Sequence, residues 1–264
     1  MKAPRFNPDW PENVMALYRH DMQEIWDQTI ALHIWNQYHN QLDLYLSLVD
    51  GDTHLAILDV GCAQGTLALR LAERGHHVWA MDIRQQFLDY AATRYESGDV
   101  HFVCGNVMEV NLAERFDLIF ANQIVEHLVY PLEFTKRLAG FLKSRGCLVM
   151  TTPNGAYVKN SLPSYSELGD PSKYHHLQLA ADADGHFFAY LADELKQVFD
   201  KVGLTQIRVH YFETPWISGH MKVRYLHSFV PGSLLRFLDH QTLRVPGLRH
   251  WFAHQLMIIG SRPA

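Results

Sequence analysis

The run Ile57-Leu58-Asp59-Val60-Gly61-Cys62-Ala63-Gln64-Gly65 carries an apolar strand into a turn with two glycines, and residues 66–74 follow with helical spacing. Strand, turn and helix in that order place a ligand at the carboxyl end of the strand. Gly61 lets the backbone approach that ligand, and Gly65 lets helix and strand pack closely. Gly75, directly after the helical stretch, suits a left-handed C-terminal cap. Outward from this unit the pattern repeats. Residues 55–60, 77–82, 100–104, 116–121 and 147–151 are short apolar runs that read as buried strands. Residues 85–96 and 132–143 have helical spacing between them. Strands alternating with helices predict a parallel sheet covered on both faces. A further helix is expected at 191–202, a further strand at 206–212 and a final strand at 256–260.

The turn lacks the dinucleotide fingerprint. That motif needs G-x-G-x-x-G, and here glycines stand only at 61 and 65, with Ala63 between them. Asp59 puts a carboxylate beside the turn and disfavours a pyrophosphate there. Val78-Trp79-Ala80-Met81-Asp82 is a second strand ending in an acid, 23 residues after Asp59. A carboxylate at that point accepts hydrogen bonds from both hydroxyls of a ribose. Together these features predict a pocket for a nucleoside with a ribose and no pyrophosphate. A nicotinamide-dinucleotide dehydrogenase is thereby a distant reading.

The chain has 264 residues, 48% hydrophobic and 19% charged. That composition can bury a core and is unlike a disordered chain. With 23 basic and 28 acidic residues the net charge is −5, which argues against a globally basic nucleic-acid binder. Three cysteines, Cys62, Cys104 and Cys147, suggest no disulfide framework. No apolar run is long enough for a bilayer span, and residues 1–11 lack the apolar core of a signal peptide. The expected compartment is the cytoplasm. Residues 1–50 read as helices. Met15, Tyr18, Met22, Ile25 and Trp26, then Ile34, Tyr38, Leu42, Tyr45, Leu46 and Val49, recur at three- and four-residue spacing. Residues 153–190, punctuated by Pro153, Gly155, Pro163, Gly169, Pro171 and Gly185, have no clear period and read as a long functional loop.

In the glycine turn, the acid at Asp82 and their spacing, the chain resembles the class I S-adenosylmethionine-dependent methyltransferases over roughly residues 55–212, with the final strand at 256–260. The family's D-x-G-x-G-x-G turn matches Asp59, Gly61 and Gly65 and departs at Ala63. Its ribose-binding acid falls on Asp82, with Ile83 next in the chain. Its adenine-side position, usually an acid, falls on Asn106 in Cys104-Gly105-Asn106-Val107. The Asn carbonyl can accept a hydrogen bond from the adenine amino group. The fourth-strand motif falls on Phe116-Asp117-Leu118-Ile119-Phe120-Ala121-Asn122. The resemblance implies an α/β, Rossmann-like, doubly wound sheet of seven strands with the last antiparallel. It implies an N-terminal helical lid at 1–50 and a methyltransferase domain at 51–264, with a late helical insertion. It also implies S-adenosylmethionine as cofactor and S-adenosylhomocysteine as product. Asp59, Gly61, Gly65, Asp82, Ile83, Asn106, Val107 and Asn122 would surround the cofactor, and Tyr38 in the N-terminal helices would face the acceptor.

Methyl transfer needs a nucleophile held opposite the sulfonium, and a hydroxyl acceptor also benefits from a base. His127, in Asn122-Gln123-Ile124-Val125-Glu126-His127-Leu128, follows the fourth strand and titrates near neutral pH. This stretch is similar to the E-x-x-E-H segment of the ubiquinone-pathway O-methyltransferases, where two acids and the His are associated with a metal. Gln123 replaces the first acid here, and the loss of a hard anionic ligand argues against a divalent metal; none is expected. His186 is the second acid/base candidate. It lies in a stretch rich in histidine, Tyr174-His175-His176 followed by Asp182-Ala183-Asp184-Gly185-His186-Phe187. The pair His175-His176 reads as a solvated loop. Thr151-Thr152-Pro153-Asn154 follows the fifth strand, so it is misplaced for the N-P-P-Y motif of DNA amino-methyltransferases and reads as a turn.

Residues 216–254 have their own character. Lys222, Arg224, Arg236, Arg244 and Arg249 stand against one acid, Asp239, a formal charge of +4, among many aromatic and apolar residues. A lid over the acceptor is the first reading, ahead of a homodimer interface and of contact with a membrane surface. The segments 153–190 and 216–254 are expected on the acceptor side. The expected activity is methyl transfer to oxygen or nitrogen of a small molecule, with no nucleic acid. A protein or peptide methyltransferase and a catalytically silent cofactor-fold binding protein are the alternatives.

Overall fold

The strand that enters the glycine turn, Ala56–Val60 (β1), is buried at every position. Ile57 and Leu58 are wholly out of water, as a strand covered on both faces requires. The computed structural model of the chain describes residues 1–52, 54–175, 186 and 188–264. It divides into two compact units, Met1–Asn111 with Pro215–His240, and Leu112–Thr214 with Gln241–Ala264. Seven strands form one sheet, in the order Asp99–Cys104, His77–Asp82, Ala56–Val60, Phe116–Asn122, Leu142–Pro153, Gln255–Ser261 and Thr205–Phe212.

In the first unit β1 pairs in parallel with His77–Asp82 (β2), which pairs in parallel with Asp99–Cys104 (β3). The connecting helices are Thr66–Glu73 (α1) and Gln85–Arg94 (α2). Ahead of them the predicted N-terminal helices form as Glu12–Asp21 (α3), a five-residue π-helix at Met22–Trp26, and Leu32–Ser47 (α4). Val14 and Leu17 pack with Phe87 and Tyr90 in one buried cluster. The N-terminal helices are therefore seated on the helix that follows β2.

A buried charge ties that seating to the glycine turn. Arg94 closes α2 and is wholly buried. Its Nη2 lies 2.9 Å from Asp21 Oδ1 and donates to Thr66 Oγ1 at 2.9 Å. Its Nη1 donates to the Gln64 carbonyl. Asp21 also accepts from the Tyr90 hydroxyl at 2.7 Å and from Trp26 Nε1 at 3.1 Å. The Gln64 amide reaches back to Glu24 Oε2 at 2.8 Å and to the Tyr38 hydroxyl at 3.3 Å. Burial pushes Glu24 up to about 8, helped by the charge of Asp21. The turn itself is left-handed at three places, with φ of +69° at Gly61, +46° at Ala63 and +76° at Gly65. A Cβ on Gly65 would lie 2.8 Å from the Ala91 Cβ. The close approach that Gly65 permits is thus to α2, rather than to the strand as its place in the sequence suggests.

In the second unit Phe116–Asn122 (β4) pairs in parallel with Leu142–Pro153 (β5), and Gln255–Ser261 (β7) runs antiparallel to both β5 and Thr205–Phe212 (β6). Pro131–Phe141 (α5) and Ala192–Val202 (α6) are its longer helices with clear apolar faces. Strand β5 begins five residues before the predicted run, with a register shift between Phe116 and Leu118 that admits the added length. Antiparallel neighbours such as β6 and β7 can be joined by a tight turn. The residues between them instead form Pro215–Ser218 (α7), Gly232–Arg244 (α8) and Pro246–Phe252 (α9). In the first unit this insertion is held to α4 by a buried 3.0 Å contact between Asn36 Nδ2 and His227 Nδ1. Its Phe229 is 85% exposed, and Met221, Tyr225 and Phe237 also face water.

Three outcomes follow from these contacts. Arg94→Ala leaves the Asp21 charge buried without its partner and should cost about 3–5 kcal/mol in denaturant unfolding; a loss under about 1 kcal/mol would remove Arg94 from its central place. Glu24 has a folded pKa raised from 4.5 to about 8. Its stabilising contribution is therefore complete below 4.5 and disappears as pH rises through about 8. Glu24→Gln, uncharged throughout, should gain on the parent protein across that window, and a difference that does not vary with pH would contradict the assignment. Ala63→Gly relieves about 1–2 kcal/mol of left-handed strain against about 0.5–1 kcal/mol of added chain entropy. Its melting temperature should rise, and a fall would show that the turn is unstrained.

Candidate functional site

Of the residues expected around a cofactor, Asp59, Gly61, Gly65, Asp82, Ile83, Asn106 and Val107 lie at the ends of β1, β2 and β3. The Cys62 N–H donates to the Met81 carbonyl at 2.9 Å, and the Gly105 N–H to the Asp82 carbonyl at 3.0 Å. These bonds hold the three strand ends at one level. Asp82 is 2% exposed and its carboxylate is fixed from two sides. Oδ2 accepts the Ala63 N–H at 3.1 Å, while Oδ1 accepts the Arg84 N–H at 3.0 Å and Arg84 Nε at 3.1 Å. Each carboxylate oxygen can accept about two hydrogen bonds, so Oδ2 keeps capacity for a ligand hydroxyl.

Asp59 has a different task. It is buried and accepts the Ala68 N–H, in the first turn of α1. A carboxylate there satisfies an orphan helix donor and complements the helix dipole. Burial, then the nearby Asp82 charge, push Asp59 up to about 7. Ile83 is 62% exposed beside Asp82, and Val107 is buried. Asn106 donates to Glu109 Oε1 at 3.1 Å, and its own Oδ1 accepts the Met108 N–H at 3.0 Å. Part of the carbonyl capacity expected for adenine therefore closes a turn instead. Tyr38 is drawn to the glycine turn through Gln64, and burial pushes its hydroxyl upward.

In the second unit β4 ends at Asn122, whose Oδ1 accepts the Thr151 hydroxyl at 3.1 Å. Gln123 turns left-handed, φ +54°. Its amide donates to Thr151 Oγ1 at 3.2 Å and Gln255 Oε1 at 3.0 Å. A short 3-10 turn, Val125–His127, follows. His186 arrives from far along the chain. The residues after it are pinned by bridges pairing Ser164 with Ala189 and Asn154 with Tyr190. The two histidines, nominated separately from sequence, come together with ring centroids 4.7 Å apart. Glu126 joins them, its Oε1 3.8 Å from His186 Nε2. Glu126 is wholly buried, and neither carboxylate oxygen has a hydrogen-bond partner of normal geometry among the described residues. Burial pushes it up to about 8, with the Thr152 hydroxyl nearby opposing the shift. Burial holds His186 below the usual imidazole range. One ligand atom from each of Glu126, His127 and His186 lies within 4.8 Å of the others. An orphaned buried carboxylate with two imidazoles fits a divalent cation, although no metal is expected from the motif alone, where Gln123 stands in place of an acid. His175 is exposed and contacts Tyr130 at 5.8 Å between ring centroids. His176, Asp182, Ala183, Asp184, Gly185 and Phe187 lie outside the described residues.

Arg94, Gln64 and Glu24 escape the sequence reading. Arg94 had a readable signal, since it follows Phe87, Tyr90 and Ala91 on the buried face of α2. No local pattern marks Glu24. All three cysteines are free, and among the described residues no helix is long and apolar enough to cross a membrane.

Residues 58–150 match a family described as a methyltransferase domain. A ubiquinone biosynthesis O-methyltransferase of Bradyrhizobium diazoefficiens is 36% identical over 104 residues, 38% of this chain and 40% of that protein. Its counterpart in Rickettsia felis is 31% identical over 127 residues, 46% of this chain and 52% of that protein. The chain thus spans about half the length of these relatives or less. Among solved structures, magnesium protoporphyrin IX methyltransferase from Synechocystis with bound S-adenosylhomocysteine superposes with a TM-score of 0.59 at 14% identity, covering 95% of this chain and 94% of that one. Phosphoethanolamine N-methyltransferase 2 of Haemonchus contortus, in complex with S-adenosylmethionine, gives 0.58 at 16% identity, covering 97% and 62%. The chain thus shares its fold with these solved structures along nearly its whole length, and its match to a methyltransferase domain begins in β1 and ends in β5.

Proposed function

We propose that the chain transfers the methyl group of S-adenosylmethionine to an oxygen or nitrogen of a small-molecule acceptor in the cytoplasm. The observation that carries this reading is Asp82. Its carboxylate is buried, held rigid by Ala63 and Arg84, and still able to accept from a ribose at the glycine turn. Two neighbouring acids, Asp59 and Asp82, also favour a ligand whose charged centre is a cation, as the sulfonium is, over one with a pyrophosphate.

In the reaction the acceptor's lone pair forms a bond to the methyl carbon as the carbon–sulfur bond breaks. The electron pair of that bond goes to sulfur and leaves S-adenosylhomocysteine. For a hydroxyl acceptor the proton goes to a nearby base. The His127 and His186 imidazoles supply that role, and burial holds His186 below the usual imidazole range. Proximity and alignment provide much of the rate in such a displacement. The names of the two relatives above support a small-molecule acceptor and, within this reading, an oxygen.

Calorimetry of the purified chain should show binding of S-adenosylmethionine and S-adenosylhomocysteine and none of NADH. Asp82→Ala should weaken S-adenosylmethionine binding by about 1–3 kcal/mol, the range for hydrogen bonds to a charged group. An unchanged affinity in a folded variant would sink the role given to Asp82.

A further inference from the structure

We propose that the stretch of the insertion from Met221 to Phe237 docks on an anionic membrane surface. Six of the sixteen large apolar side chains that the described residues leave in water fall in this one stretch: Met221, Tyr225, Leu226, Phe229, Leu234 and Phe237. Phe229 is 85% exposed, and Tyr225 and Phe237 are more than half exposed. Single exposed apolar residues are ordinary, whereas a dense group of them marks an interaction surface. The segment is not waiting for a core of its own. Ile217, His227 and Leu235 are already buried, and the Asn36 to His227 contact fixes it to α4. On α8 the buried positions are Leu235 and Asp239. Leu234 and Phe237, three residues apart, share another face of that helix, and both are exposed.

Charge selects the occupant. Lys222, Arg224 and Arg236 stand among these side chains, and no Asp or Glu occurs from 215 to 238, in a chain of net charge −5. Asp239 is buried. Arg236 Nη1 lies 3.5 Å from the exposed Asp43, a surface pair worth little. Arg224 is held against its neighbour. Its Nη2 donates to the Tyr225 hydroxyl at 3.1 Å, and its guanidinium carbon is 5.0 Å from the centre of the Tyr225 ring. An anionic bilayer meets both halves of this surface. Its headgroups take the cations, its hydrocarbon takes Phe229, Leu234 and Phe237, and Tyr225 belongs at the level between them. A second copy of the chain meets only the apolar half. A two-fold interface sets the same surface against itself. The three cations of one copy would then face those of the other, with no acid of the stretch to offset them.

Vesicle flotation with the full chain is the test. The chain should float with phosphatidylcholine vesicles in which one lipid in four is phosphatidylglycerol. Pure phosphatidylcholine vesicles should bind it at least about tenfold more weakly, and added salt should weaken the anionic binding. A cation near such a surface contributes about 1 kcal/mol, or about fivefold. Lys222→Ala with Arg224→Ala should therefore weaken binding about thirtyfold. Phe229→Ser with Phe237→Ser should weaken it by about tenfold or more, as two rings leave the hydrocarbon. Ile30→Ser, at an exposed apolar residue outside the stretch, should leave it unchanged. Circular dichroism establishes the folding of each variant. No flotation of the parent chain overturns the proposal, as does equal binding to both vesicles or binding that survives the phenylalanine pair. A concentration-dependent dimer in sedimentation that Phe229→Ser makes monomeric gives the surface to a second copy and overturns it too. No readout involves the cofactor, so failure here leaves the role of Asp82 untouched.

Discussion

Arg94 is the group on which the glycine turn depends. A guanidinium wholly out of water is costly unless its charge is paired. Here its Nη1 and Nη2 meet Asp21, Thr66 and the Gln64 carbonyl of the glycine turn. The same charge therefore positions the turn, the start of α1 and the end of α3. The N-terminal helices belong to the construction of the turn as much as to its cover. Gln64 extends the linkage through its side chain to Glu24 and Tyr38.

Two acids close together at the turn do not share one role. Asp59 is turned to the first N–H groups of α1 and is pushed toward protonation at neutral pH. Asp82 is held by backbone and guanidinium donors. Environment thus separates the two carboxyls, Asp59 one residue before the end of β1 and Asp82 at the end of β2. Ala63 accepts a left-handed conformation at the position where the family has glycine, and its N–H is one of the two anchors of Asp82.

The side-chain cluster after β4 depends on a residue distant in the chain. Glu126 and His127 are neighbours on a short turn after β4, and His186 reaches them because residues 189 and 190 bridge to Ser164 and Asn154. The long segment between β5 and α6 is thus the carrier of a side chain to the site. The insertion between β6 and β7 keeps several large apolar side chains in water, which is unlike a lid whose apolar residues are turned inward.

The sheet was legible in the sequence because its determinants are local. Runs of Ile, Leu and Val of strand length, the glycines at 61 and 65, and an acid closing the second strand are read within a few residues of one another. The count of seven strands and the antiparallel last strand are implied by the resemblance and not by periodicity. Asp82 and His127 could be nominated one by one, since each stands at the end of a recognisable strand. Tertiary structure alone decided that His127, His186 and Glu126 form one cluster, that Asn106 spends part of its carbonyl on its own turn, and that Arg94 joins α3 to the glycine turn. Those are distances between side chains far apart in sequence. They are set by how helices and loops close on the sheet, and no pattern of residue types along the chain encodes them.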